Sequence, residues 1–165
     1  MTGMLALRYA ALLMLVIWVG GLLALGAIAA PSIFDVLAAT QAADGRLLAG
    51  AVFGEILRRF HLVSYAAGAL LLATLVLRSV LGPRPRRFAW RAGVATAMLA
   101  ASAFSGVVVS GRIAALQRTI GAAPSSLPEG DPPRVEFGRL HGLSTALQLV
   151  PLLGGLMLIY WEIRE

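Results

Sequence analysis

The sequence predicts an all-α integral membrane protein whose four transmembrane helices form a bundle. Three observations point there. Of the 165 residues, 59% are hydrophobic and only 13% charged, about half the charged fraction of a soluble domain. Mean hydropathy is +0.83, and a small soluble domain exposes too much of its area to hide that much apolar surface. The charges delimit four long uncharged runs of 26, 18, 20 and 22 residues, and a helix needs about 20 to cross a bilayer core. Backbone groups in lipid must be satisfied within the segment, so the runs are expected to be helices. The period-two alternation of a membrane barrel is absent.

The first run lies between Arg8 and Asp35 and predicts a helix over about 6–34. Ala27-Ile28-Ala29 resembles a leader cleavage site. The apolar stretch exceeds the about 7–15 residues of a leader core and contains Trp18, so a retained helix is expected. The connection at 31–46 mixes Asp35, Asp44 and Arg46.

The second run, Arg59 to Arg78, is preceded by an amphipathic stretch at 47–58. A continuous helix over 47–81 would be about 52 Å long, so this stretch either lies on the outer surface or projects beyond the membrane. The third run, Arg91 to Arg112, predicts a helix at 88–119. The fourth, Arg139 to Glu162, predicts one at 137–162, with Pro151 placed to kink it and free a carbonyl near Leu147. The segment before it, 120–135, is polar and carries Pro124, Pro128, Pro132 and Pro133, a helix-breaking composition. The whole chain, 1–165, reads as one domain.

Orientation follows from arginine. The second connection is bounded by Arg78 and Arg91 and holds Arg84, Arg86 and Arg87 with no acid, so it should face the cytoplasm, with both termini beside it. All 14 basic residues are Arg. With heavy Ala, Leu and Gly usage this suits a GC-rich bacterial genome, and the expected location is the bacterial inner membrane. The lipid bilayer is the expected partner, joined by another membrane protein or a second copy of the chain. Nucleic acid is not expected despite a net charge of +6, because the arginines are scattered between apolar runs. Without Cys or Lys, disulfides, thiolate sites and Schiff-base chemistry are excluded.

The chain also looks doubled. Arg59-Phe60-His61-Leu62-Val63-Ser64 and Arg139-Leu140-His141-Gly142-Leu143-Ser144 share Arg, apolar, His and Ser at an offset of 80. The same offset pairs Gly26 with Gly106 and Leu72 with Leu152. Two hairpins of about 80 residues would form a parallel repeat. Glu55 and Glu136 precede the two motifs, each placed to pair with an Arg one turn later.

The candidate site is the polar cluster these motifs predict. His61, Ser64 and Gly68 share a helix face, as do His141, Ser144 and Gln148, and both stripes should turn from lipid toward other helices. Ser102, Gly106 and Ser110 offer a small-residue seam, as do Gly20 and Ala24 beside Trp18. The plainest role is interhelical hydrogen bonding, with Arg59 and Arg139 reaching to headgroups. A sharper role is ligation: two histidines at equivalent depth could hold haem b from both faces. They are too few for a zinc site, and Met1, Met4, Met14, Met98 and Met157 are too scattered for a soft-metal relay. No cofactor is expected on the plain reading. No nucleophile, base and orienter stand together, so no enzyme activity is expected.

Phe137-Gly138-Arg139-Leu140-His141-Gly142-Leu143-Ser144, with Glu162-Ile163-Arg164 closing the helix, resembles the signature of eukaryotic transmembrane protein 205 and its bacterial relatives, a family of unknown function. Trp18-Val19-Gly20-Gly21 and Ala30-Pro31-Ser32-Ile33-Phe34 resemble that family's first helix and its exit. Gln148 stands where the pattern has Asn, Leu140 replaces an aromatic, and the polar insertion after the third helix is shortened. The resemblance implies a small four-helix membrane protein, associated in the eukaryotic member with platinum-drug resistance and vesicle trafficking. Copper-resistance and haem-biosynthesis membrane proteins are loosely similar in their Trp-Gly-Gly openings. Three functions therefore stand: a non-enzymatic membrane protein accessory to metal or drug tolerance, a bis-His haem electron-transfer protein, and a small-solute channel or carrier subunit.

Overall fold

The computed structural model describes residues 2–40 and 44–164; Met1 lies outside them. Four helical columns form one bundle. The first comprises α1 (Thr2–Ala24), a π-helical turn at Leu25–Ala29 and α2 (Ala30–Thr40). The second is α3 (Gly45–Leu81). The third comprises α4 (Phe88–Ala103), a π-helical turn at Phe104–Val109 and α5 (Ser110–Ile120). A short 3₁₀ turn at Pro124–Ser126 leads to the fourth, α6 (Pro132–Ile163). Among the described residues there is no strand.

Each column is long and apolar enough to cross a membrane, and in each a third or fewer of the residues of the most apolar window are buried. The rest of that apolar surface faces outward, which only a lipid environment tolerates. The protein is thus a multi-pass membrane protein.

The columns run further than the uncharged runs predict. The first continues beyond 34 to Thr40 and carries Pro31 within it. Proline removes an N–H and crowds the preceding turn. The π turn just before it takes up one extra residue, with the Ala30 N–H bonding to the Leu25 carbonyl. The stretch at 47–58 is part of one continuous 37-residue helix, about 56 Å long. The second column therefore projects beyond a membrane core of about 30 Å. At the start of α3, Gly45 packs close against α2, where any Cβ would collide with the Leu37 carbonyl oxygen.

Buried positions are spaced four and three residues apart. In the third column they are Arg91, Ala95, Met98, Ser102, Ser105 and Val109. In α3 they include His61, Ser64, Gly68, Leu71, Leu75 and Arg78. That seam keeps one face of each helix toward its neighbours. The core holds Ala11, Leu15, Trp18, Leu71, Leu75, Met98 and Leu158. Glycines let the large members in. A Cβ on Gly68 would lie 2.9 Å from the Trp18 ring and 3.0 Å from Leu99. Gly68→Val is accordingly expected to cost about 1–3 kcal/mol through overpacking, read as a lower midpoint in detergent unfolding.

The 80-residue offset reappears in this register. Ala11, Leu15 and Trp18 are buried, as are Arg91, Ala95 and Met98. Ser64, Leu71, Leu75 and Arg78 are matched by Ser144, Pro151, Gly155 and Leu158, all buried. The two π turns also lie about 80 residues apart. The hairpins share one plan but differ in bulk, and Gly155 faces Val19 where the first hairpin has Leu75.

Candidate functional site

Two polar tiers interrupt this core. The first is a recess formed by α3, the π turn after α4, and α6. His61 is buried and its Nε2 lies 3.1 Å from Gln148 Nε2. That bond requires the ring nitrogen to accept from the amide. Tyr65 donates to the Ser102 carbonyl at 3.4 Å, and the Ser105 and Ser144 hydroxyls pair at 3.3 Å. The π turn makes room for this. Gly106 lies under His61 and Tyr65, where a Cβ would meet the imidazole at 2.8 Å. Ser110 returns a hydrogen bond to the Ser105 carbonyl at 3.0 Å. Among the described residues, the buried atoms His61 Nδ1, Ser102 Oγ and Trp18 Nε1 have no hydrogen-bond partner in the protein.

The recess gathers some of the predicted residues and not others. His61, Ser64, Ser144 and Gln148 turn inward as the sequence predicts; Gln148 is partly buried. His141 does not. It is exposed and stacks on Phe137, ring centroids 6.1 Å apart. The reason lies at the outer end of α6, where Leu140 and Ser144 are buried four apart and the three residues between them are exposed. The two histidines do not face one slot, and the bundle does not present them as a pair of axial ligands. Arg59 and Arg139 are both exposed. Arg59 and Arg58 each bond Glu55 at 2.7 Å, as predicted for Arg59, whereas Glu136 and Arg139 form no ion pair with each other. Gly20 and Ala24 also face outward; Gly21 is the glycine that admits a neighbour, Phe60.

A contrast follows. His61→Ala opens a buried hole and removes the Gln148 bond, and is expected to lower the unfolding midpoint clearly. His141→Ala is expected to leave it within about 0.5 kcal/mol, as for exposed positions generally. Gln148→Leu tests the bond alone, and the loss should be near the 0.6 kcal/mol average for interhelical bonds in membranes.

The second tier, at the opposite end of the bundle, is a clamp that the sequence does not announce. Glu162 on α6 is 3% exposed and holds three guanidiniums. Arg78 Nη1 donates to Oε1 at 2.8 Å and Arg91 Nη1 to Oε2 at 2.6 Å, both from buried side chains. Arg8 Nε donates to Oε1 at 3.3 Å, and its Nη2 reaches the Glu162 carbonyl at 2.9 Å. Arg91 Nη2 donates to the Trp161 carbonyl at 2.9 Å. One carboxylate thereby ties all four columns together. Each of these residues is the charge that closes its uncharged run at this end, and that is the signal by which the clamp could have been found.

The tiers are far apart. His61 precedes Arg78 by 17 residues on one helix, about 26 Å. The seam between them is apolar or small: Ala67, Gly68, Leu71 and Leu75 on α3, facing Ala95 and Met98 on α4. Among the described residues no three His, Asp or Glu side chains meet as a metal site would require.

No curated protein and no solved structure matches this chain. A family model does, over residues 13–122, two thirds of the chain. The matched stretch contains His61, both π turns, Arg78 and Arg91; α6, with Gln148 and Glu162, lies beyond it. By that match the chain belongs to the family defined by the domain of unknown function DUF4149.

Proposed function

We propose that this protein is a non-enzymatic component of the bacterial inner membrane, accessory to metal or drug tolerance. Both chain ends and the arginine-rich turn at 82–87 then lie on the cytoplasmic side. One observation carries the non-enzymatic reading: no hydroxyl in the recess is hydrogen-bonded to the histidine. The Ser105 and Ser144 hydroxyls bond each other, those of Tyr65 and Ser110 bond carbonyls, and His61 bonds an amide. Nucleophilic catalysis needs a nucleophile against a base with a third group orienting it. The seam below supplies no charged relay for ion movement either. Arg84, Arg86 and Arg87 support the orientation, because short basic connections stay inside. The tolerance role rests on the resemblance to eukaryotic transmembrane protein 205.

The test uses the absence of native cysteine. Ser126→Cys should be labelled by an impermeant maleimide on intact cells, and Arg86→Cys only after permeabilisation. The reverse pattern would overturn the orientation. A deletion strain should lose tolerance to copper or platinum compounds, regained with wild type and with His61→Phe. Unchanged tolerance would overturn the role. A chromophore in the purified protein that disappears in His61→Ala would put the haem function in its place.

A further inference from the structure

The turn joining α3 to α4 carries a shallow open depression lined by Arg84, Pro85, Arg87, Phe88, Ala89 and Trp90. Its two guanidiniums are held by aromatic rings and not by acids. Arg84 lies over Phe88 at 4.5 Å from the centroid, and Arg87 over Trp161 at 5.6 Å. Arg164 sits likewise over Tyr160 at 4.6 Å. Among the described residues none of these three pairs with a carboxylate. A guanidinium stacked on a ring keeps its N–H edge available, and that edge matches a phosphate oxygen pair.

A shallow apolar depression, open to its surroundings, runs along the outward face of α3, lined by Leu72, Ala73, Val76, Leu77 and Val80. Val80 lies only four residues before Arg84. Trp90, 71% exposed, stands at the rim of the basic depression. Indole rings collect at headgroup depth.

We propose that this end of α3 and the 82–87 turn form a binding site for an anionic phospholipid, with Arg84 and Arg87 holding its phosphate and the α3 groove taking an acyl chain. The pairing of a basic depression with an apolar groove argues for a lipid over free phosphate, which has no use for the groove. The positive charge argues for an anionic lipid over a zwitterionic one. Basic pockets beside membrane helices bind such headgroups elsewhere.

The test takes the purified full chain in detergent, with phosphatidylglycerol, phosphatidylcholine or inorganic phosphate added in turn. Phosphatidylglycerol alone should raise the unfolding midpoint. In Arg84→Gln/Arg87→Asn, where Asn keeps the left-handed turn that Arg87 adopts (φ 57°), its affinity should fall about thirtyfold, as expected for two surface arginines. The midpoint in phosphatidylcholine should be unchanged. Equal response to both lipids, an equal response to phosphate, or full affinity in the double variant would each overturn the proposal. If the variant does not fold, wild-type tryptophan fluorescence in nanodiscs decides. Brominated phosphatidylglycerol should quench the fluorescence more than brominated phosphatidylcholine at the same content, a difference lost in Trp90→Phe, and equal quenching would overturn the site.

Discussion

Glu162→Gln is expected to be the most damaging single substitution in the protein, costing about 3–5 kcal/mol. The change is nearly isosteric, so packing is preserved and only the charge is lost. Arg78 and Arg91 are each 3% exposed and would keep their charges without the carboxylate that bonds both. Removing one partner of a buried ion pair leaves the desolvation cost of the other uncompensated. Here one removal affects two buried cations and a third, Arg8, at the edge. Glu162→Asp should recover part of the loss, because the charge returns while the reach shortens. The measurement is unfolding in a denaturing detergent titration, followed by helical signal. If Glu162→Gln unfolds at the wild-type midpoint, the clamp does not hold the columns together. Replacing Arg78, Arg91 and Glu162 together by Met, Met and Leu should restore much of what Glu162→Gln loses, since well-packed apolar groups often match a buried ion cluster.

Trp18→Ala should come next, at about 3 kcal/mol. Trp18 is wholly buried, and soluble cores lose about 3–5 kcal/mol for such a truncation. A membrane bundle sits toward the lower end, because lipid is as apolar as the core and the transfer contribution falls away. What remains is lost packing and the hole left behind. Gly68 predicts a rescue: with the ring gone, Gly68→Leu can refill part of the space beside Leu99. The double variant should be more stable than the sum of the two single effects, as coupled neighbours are. A strictly additive result would mean that the ring and the glycine do not share the packing described.

The four columns were legible in the sequence because charge is so costly in lipid that its absence marks each span directly. Their ends were less legible. Asp35 closes the first uncharged run, yet α2 continues to Thr40, and nothing in Leu25–Ala29 marks the π turn that precedes Pro31. Half of the recess was legible from helical spacing on α3 and α6. His141 faces outward although its motif matches that of His61: α6 keeps the 80-residue register at Ser144, Pro151, Gly155 and Leu158, but at its outer end it buries Leu140 in place of His141. The clamp was missed for a different reason. Arg8, Arg78, Arg91 and Glu162 each read as an ordinary charge at a membrane boundary. Only the bundle shows that the four boundaries coincide and that Glu162 stands among three arginines.

The chargeless seam between the recess and the clamp has an electrical consequence. A membrane potential does work on a protein only by moving charge through the field, about 2.3 kcal/mol per elementary charge per 100 mV. The four uncharged runs lie side by side, so the slab where the field drops holds no formal charge, and the clamp is anchored at one edge of it. A rearrangement within the slab would carry no gating charge. The conformational balance of this bundle should therefore be indifferent to voltage, the same in an energised cell as in a depolarised one.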